Sequence, residues 1–327
     1  MQDSLPSWLF NALKDIDKSQ LPHALMISGR KGIGKYSLAE YFCKSILCLS
    51  QEMKVCGKCN HCNFVLKRNH PDFYILEDPD NKNIPIKNVR ELKEKIYQSP
   101  FLGRNKVCLI RNCNLLSQDA IDTLLKVLEE PPENTFFILV TDLMYLMPLT
   151  IKSRCTHIKI PSPTTEESID WFSGEYDMDS IQTALSLCSN RPFAAKEYLS
   201  SGILDMRNVF LKEISSIIKG ADDFIVISEK WNEDVENLQL KVEWMANIIE
   251  DSIRYKNSAE SSQLFHDTRN ITTYIGQKVN ALNLFSIYRK TNEVRGIVSK
   301  NSNNLKIDYQ LLELFNFWEK KLGISSL

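Results

Sequence analysis

The chain has 327 residues, 43% of them hydrophobic and 25% charged, with 40 basic against 41 acidic side chains and a net charge of −1. That length exceeds one comfortable core and predicts two or three domains, while the balanced charge argues against a protein that coats nucleic acid unaided. No apolar run reaches the roughly 18 residues of a membrane helix. The start, Met1-Gln2-Asp3-Ser4-Leu5, lacks a basic region followed by an apolar core, so a cytoplasmic protein without a membrane partner is expected.

Eleven of the twelve prolines lie at or before Pro163, and in that half short apolar runs alternate with helical patterns. His23 to Ser28 reads as a buried strand. It runs into Gly29-Arg30-Lys31-Gly32-Ile33-Gly34-Lys35-Tyr36, after which Tyr36 to Leu47 carries Leu38, Tyr41, Phe42 and Ser45 at helical spacing. Asp72 to Leu76 is a second strand and Ile86 to Tyr97 a charged helix. Lys106 to Ile110 is a third strand, followed by a helix from Gln118 to Glu129 that Pro131-Pro132 stops. Phe136 to Thr141 and His157 to Ile160 complete five strands. Strands alternating with helices predict an α/β domain, a parallel sheet covered on both faces. Past Pro163 a helix start at Thr164-Thr165-Glu166-Glu167 opens a few short helices to about residue 205, and from Met206 to Leu322 apolar residues recur at helical spacing. The stripes Trp244, Ile248, Ile249, Ile253 and Leu311, Leu312, Phe315, Trp318 read as helix core.

The glycine-rich stretch is one residue short of a phosphate loop. In G-x-x-x-x-G-K-[ST] the glycines let backbone N–H groups curl around phosphate, the lysine adds charge and the final hydroxyl holds magnesium. Gly29, Gly32, Gly34 and Lys35 are in place, but Tyr36 stands where the short hydroxyl belongs. An ATPase of this kind also needs acids at the end of a later strand to hold the metal and orient water. After Leu109-Ile110 the chain has Arg111-Asn112, a cation and an amide. Two metal-handling positions have lost their chemistry, so ATP with magnesium is not expected to be hydrolysed here.

Cysteine is concentrated in one place: of nine, Cys48, Cys56, Cys59 and Cys62 fall within fifteen positions. Four thiolates complete a closed tetrahedral zinc site, and Gly57 allows the tight turn that such a knuckle makes. Cys-x-x-Cys redox cycling is the competing reading. His61 is a poor substitute ligand because it sits between two of the cysteines. The zinc is read as structural.

Leu21-Pro22-His23-Ala24, the stretch Gly29 to Lys35, Ala120 to Pro132 and Ser153-Arg154-Cys155 together resemble clamp-loader subunits of the AAA+ class. The resemblance is dense over residues 20–163 and architectural beyond. It implies an AAA+ core with a zinc-binding insertion over 1–163, a helical lid over 164–205 and a helical collar over 206–327 that joins a five-subunit ring. It also implies partners: gamma/tau-type ATPase subunits, a delta subunit, and through the assembly a sliding clamp and primed DNA. The holoenzyme then has polymerase chemistry that this chain lacks. Within the resemblance, Arg154 is the finger offered to ATP on a neighbour, with Ser153 and Cys155 shaping its loop.

Other residues carry weaker readings. Thr141 occupies the place of a polar group near the γ-phosphate, and Arg191 in Asn190-Arg191-Pro192 that of a second phosphate-sensing arginine. His70-Pro71-Asp72 reads as a structural turn, and Lys67-Arg68 with Lys87 to Lys95 as a solvated charged face. Two rivals stand beside the main reading. One is an active ATPase of the same family using Asp119 or Asp122; the other is a zinc-bearing adaptor with a dead nucleotide fold.

Overall fold

The structure, a computed structural model, describes residues 5–13, 21–50, 55–78, 80, 82–102, 104–172, 174–222, 224–258, 264–299 and 304–323. Met1 to Ser4, used above for the leader reading, lie outside the described residues. Two compact units emerge: residues 1–173 with 190–195, and residues 174–189 with 196–327.

The first unit is built on β1 (Ala24–Ser28), β2 (Phe73–Leu76), β3 (Lys106–Ile110), β4 (Thr135–Thr141) and β5 (Thr156–Lys159). All pairings are parallel, in the order β2-β3-β4-β1-β5. The central strands are apolar throughout because each residue faces one of two covered sides. Leu25, Ile27, Val107, Leu109, Ile138 and Val140 point to α1 (Ser7–Asn11) and α2 (Lys35–Leu47), joining Trp8, Leu9, Leu38, Phe42 and Ile46. Ala24, Met26, Cys108, Ile110, Phe137 and Leu139 point the other way, to α4 (Ile86–Ile96) and α5 (Gln118–Glu129). Each fully buried Leu, Ile or Phe contributes about 1.5–3 kcal/mol, so this alternation supplies most of the drive to close both layers.

Local signals set the helix ends. Ser117 caps α5 by accepting from the Ala120 N–H, and Pro131-Pro132 follow its last turn. Between α2 and β2 lies α3 (Asn60–Leu66), capped by the Cys59 side chain. The shorter α6 (Leu149–Lys152) precedes β5, and α7 (Thr165–Phe172) follows it. A reciprocal capping box opens α7: the Glu167 N–H donates to Thr164 Oγ1 at 3.1 Å, and the Thr164 N–H to Glu167 Oε2 at 2.9 Å.

The second unit is helical. It contains α8 (Met178–Leu187), most of α9 (Pro192–Ser200), α10 (Ile203–Ile218), α11 (Phe224–Glu233), α12 (Val235–Ser258), α13 (Arg269–Lys278), α14 (Ala281–Val298) and α15 (Asn304–Leu322). Its core gathers Phe210, Trp231, Trp244, Phe315 and Trp318, so the aromatic and aliphatic stripes read from the sequence face inward. Arg207, 1% exposed, is compensated by Asp267 and by the faces of Trp244 and Phe265. Among the described residues no helix is long and apolar enough to cross a membrane.

Candidate functional site

The phosphate loop leaves the carboxyl end of β1, where open parallel sheets bind ligands. Gly32 (φ 80°) and Gly34 (φ 99°) adopt left-handed backbone that side chains disfavour. A Cβ on Gly34 would stand 2.4 Å from Phe193 Cε2 and 2.9 Å from Leu9 Cδ1, and one on Gly32 would stand 3.0 Å from Ala194 Cβ. On Gly29 a Cβ would meet the Ile160 carbonyl oxygen at 3.0 Å. The glycines therefore serve packing against this loop as well as its turn.

Three loop carbonyls already have donors. Trp8 Nε1 donates to Ile33 O at 2.9 Å, the Phe193 N–H to Gly32 O at 3.0 Å and Lys35 Nζ to Arg30 O at 2.6 Å. Trp171 stacks on Phe193 at 4.7 Å and meets Trp8 edge-on at 5.8 Å. An aromatic bracket thus holds the loop from outside. Asn190 and Arg191 enter the same unit; Asn190 Nδ2 donates to Pro163 O at 2.8 Å, and the Arg191 Cβ lies 3.3 Å from where a Gly32 Cβ would stand.

Inside, the charges neutralise one another. Lys35, 3% exposed, contacts Asp142 Oδ1 at 2.5 Å. Burial pulls its pKa down and the Asp142 carboxylate opposes that. Tyr36 and Asn112, the two odd residues of the motif positions, meet: the Tyr36 hydroxyl donates to Asn112 Oδ1 at 2.5 Å. Burial pushes the Tyr36 pKa up to about 12, so the phenol stays protonated. Arg111 lies over the Tyr36 ring at 5.1 Å and is gripped by Glu40 at 2.7 Å and Glu77 at 3.0 Å. Thr141 Oγ1 donates to Asn114 Oδ1 at 2.8 Å. Tyr36, Glu77, Arg111, Asn112, Asn114 and Asp142 border an open cleft of about 510 Å³ at the ends of β2, β3 and β4. A guanidinium thus stands between Glu40 on α2 and Glu77 at the end of β2, beside the place a magnesium ion would need. Asp119 and Asp122 are exposed on α5, with Asp122 accepting from Gln118, which removes them from this cleft.

Arg154 has a different setting. It follows α6, with its side chain 33% exposed and paired to Glu129 at the end of α5. Its Nη1 donates to Thr150 O at 2.8 Å and to Ser153 Oγ at 3.3 Å, while the Ser153 hydroxyl donates to Thr150 O at 3.0 Å. Cys155 packs against the α4–α5 face of the core, and burial pushes its thiol to about 12. Ser153 thus bonds the arginine directly, while Cys155 is packed against the core.

The four cysteines converge. The Sγ atoms of Cys48, Cys56, Cys59 and Cys62 all lie within 4.8 Å of one another, with Cys48–Cys59 at 4.0 Å and Cys56–Cys62 at 3.9 Å. Tetrahedral thiolates about 2.3 Å from zinc stand about 3.8 Å apart, so the donor set fits. The Lys58 and Cys59 N–H groups hold the Cys56 thiol down to about 6, while burial pushes Cys62 up. His61 Nδ1 is 2.9 Å from His70 Nε2 and has no part in the cluster. His70 is 4% exposed and accepts the Asp72 N–H at 3.1 Å, and the Asp72 carboxylate accepts the N–H groups of Phe101 and Leu102, a structural turn. On the charged face, Arg68 approaches Glu40 at 3.8 Å and Lys87 approaches Glu91 at 3.8 Å.

Sequence reasoning misses the partners: Glu40, Glu77, Asp142, Trp8 and Phe193. Glu77 and Asp142 each follow a strand directly, and Glu40 lies one turn after Tyr36 on α2. Those positions were the available signal.

Comparison with known proteins agrees with this architecture. Residues 7–164 match the family model described as DNA polymerase III, delta subunit, and residues 202–319 the model for its C-terminal part. The DNA polymerase III subunit delta' of Buchnera aphidicola (subsp. Schizaphis graminum) is 29% identical over 96% of this chain and 97% of that protein. That of Escherichia coli is 29% identical over 72% of this chain and 71% of its own. A tau/gamma subunit from Haemophilus influenzae is 36% identical over 48% of this chain and 23% of its own length. Among solved structures, a gamma subunit-related protein of Thermotoga maritima aligns over 96% of this chain and 98% of its own, with 15% identity and a TM-score of 0.44.

The five-stranded parallel sheet, phosphate loop and helical second unit define a clamp-loader subunit of the AAA+ class. Within that class the chain belongs to the DNA polymerase III delta' subunit family.

Proposed function

We propose that the chain works as the non-hydrolysing stator of a DNA polymerase III clamp loader. It completes the ATPase site of a neighbouring subunit with Arg154 and supports the loading of a sliding clamp onto primed DNA. The observation that carries the first half is the internal neutralisation of the cleft: Lys35 by Asp142, Arg111 by Glu40 and Glu77, and Tyr36 by Asn112. A phosphate on Lys35 would compete with Asp142, and a magnesium ion would have to displace the guanidinium from Glu40 and Glu77. Removing one partner of a buried pair alone costs about 3–5 kcal/mol.

Arg154 supports the second half by contrast. Releasing it gives up one exposed ion pair, about 0.2–1 kcal/mol, and exposed hydrogen bonds to Thr150 O and Ser153 Oγ, about 0.5–1.5 kcal/mol each. A guanidinium stabilising the phosphoryl transition state in trans is worth about 10³–10⁵ in rate, or roughly 4–7 kcal/mol. The balance favours transfer of the side chain once a neighbour presents nucleotide. In this reading residues 164–205 form the lid and 206–327 the collar of a five-membered ring with gamma/tau-type and delta subunits, in the cytoplasm. Zinc held by Cys48, Cys56, Cys59 and Cys62 is structural, since all four positions are filled by protein.

The test is twofold. The isolated chain should show no magnesium-dependent ATP turnover and should carry one equivalent of zinc by elemental analysis. Turnover by the isolated chain would overturn the stator reading, and absence of zinc would overturn the metal reading.

A further inference from the structure

The cysteine knuckle is joined to the body of the unit at both of its halves by one short segment. On the first half, Arg104 Nη1 donates to Cys48 O at 3.2 Å, and Asn105 Nδ2 to Ile46 O at 2.9 Å. On the second half the link runs through two histidines. His70 Nδ1 accepts the Asp72 N–H, so in the neutral ring the proton resides on Nε2. That Nε2–H donates to His61 Nδ1 at 2.9 Å, and His61 sits on α3 beside Cys62. Phe64, one turn further along α3, meets the His70 ring edge-on at 6.3 Å.

The chain of contacts continues past His70. Asp72 is 1% exposed, and its two carboxylate oxygens accept the Phe101 N–H at 2.7 Å and the Leu102 N–H at 2.9 Å. A buried carboxylate is thus spent on two surface amides, in a segment that carries Phe101 at 80% exposure. Lys106, 3% exposed, ties down the end of α4 just before this segment by donating to Ile96 O and to Gln98 O at 2.6 Å.

We propose that His70 is a positioning residue of the metal site, and that the path His61–His70–Asp72 couples metal occupancy to the order of the Phe101–Leu102 segment. It rests on the structural-zinc reading above. Without the histidine bond, α3 keeps the packing of Val65 on the body but loses a side-chain hydrogen bond beside Cys62. Partners that orient a metal-binding element typically affect metal affinity by about 10–100-fold.

The experiment uses the full-length protein loaded with zinc. Zinc affinity is measured by competition with a chromogenic chelator for wild type, His61→Ala and His70→Ala. Amide exchange is then followed at Phe101 and Leu102 with and without zinc. His61→Ala removes the same bond from a partly exposed position, so it keeps the test sound if His70→Ala fails to fold. The expected result is weakening of zinc binding by about 10–100-fold in both variants, with recovery in His70→Gln, which retains a donor toward His61. Stripping zinc should speed exchange at Phe101 and Leu102 by at least about tenfold while Leu109, central in the sheet, is unmoved. Zinc affinity of His61→Ala within about twofold of wild type, or exchange at Phe101 and Leu102 indifferent to zinc, overturns the proposal alone. A wild-type protein that binds no zinc overturns the metal reading with it.

Discussion

The two ends of the sheet treat their arginines in opposite ways. At the carboxyl ends of the strands Arg111 is 17% exposed, held by two carboxylates and laid over an aromatic ring. Toward the amino ends Arg154 is 33% exposed and tied to one carboxylate that is itself 48% exposed. The contrast concerns availability rather than charge. A guanidinium between two carboxylates and an aromatic face is part of the fold, whereas one whose single ion pair is solvated, and whose other hydrogen bonds go to Thr150 O and Ser153 Oγ of its own loop, can be exchanged to another molecule at smaller cost. Open parallel sheets bind ligands at the first end; there the arginine is fixed by the fold, and at the second end it is held more loosely.

That comparison can be broken in several ways. Asp142→Ala strands the buried Lys35 ammonium and should cost about 3 kcal/mol in urea unfolding. Adding Lys35→Met should recover most of it. A loss below about 0.5 kcal/mol would mean that the pair is not structural.

Tyr36→Phe removes the hydroxyl bond to Asn112 and should cost about 1 kcal/mol near neutral pH. Because the folded pKa of about 12 lies above the ordinary 10.0, the stability linked to this proton is fully present below pH 10. It is lost as pH rises toward 12. The advantage of wild type over the variant should therefore shrink across that window, and an advantage that instead grows there would contradict the buried, protonated phenol.

The smallest effect is expected at the other end. Glu129→Gln breaks only the exposed partner of Arg154 and should change stability by less than about 1 kcal/mol. A larger loss in thermal unfolding would place Arg154 with Arg111 as a structural residue.

The sheet was legible because its chemistry is local. Apolar runs such as Val107 to Ile110 and Ile138 to Val140 are buried on both faces, and the proline pair after Glu129 ends α5 within the same few residues. The cysteine cluster was legible for the same reason, since its spacing is itself the signal. Partnerships across long loops were not. Arg111 finds Glu77 across 34 positions and Glu40 across 71, and nothing in the spacing announces that a cation misplaced in one motif is answered by acids on two other elements. Tyr36 and Asn112 were each read as a loss. Only the fold shows that these losses touch, so that one replaces the other's missing partner. Short elements also escaped: α1 has five residues and α3 seven, too few for a periodic pattern. Their placement depends on Trp8 reaching the phosphate loop and on the cysteine cluster.

The most direct measurement is ATP turnover by the reconstituted clamp loader with sliding clamp and primed DNA, comparing two alterations of this chain. One is Arg154→Ala; the other is Lys35→Met with Asp142→Asn, which disables the phosphate loop while removing both charges of the buried pair. With assembly intact in both, the account predicts at least a tenfold fall for Arg154→Ala, roughly 1.4 kcal/mol of barrier, and unchanged turnover for the phosphate-loop variant. Unchanged turnover with Arg154→Ala, together with a fall in the phosphate-loop variant, would contradict it.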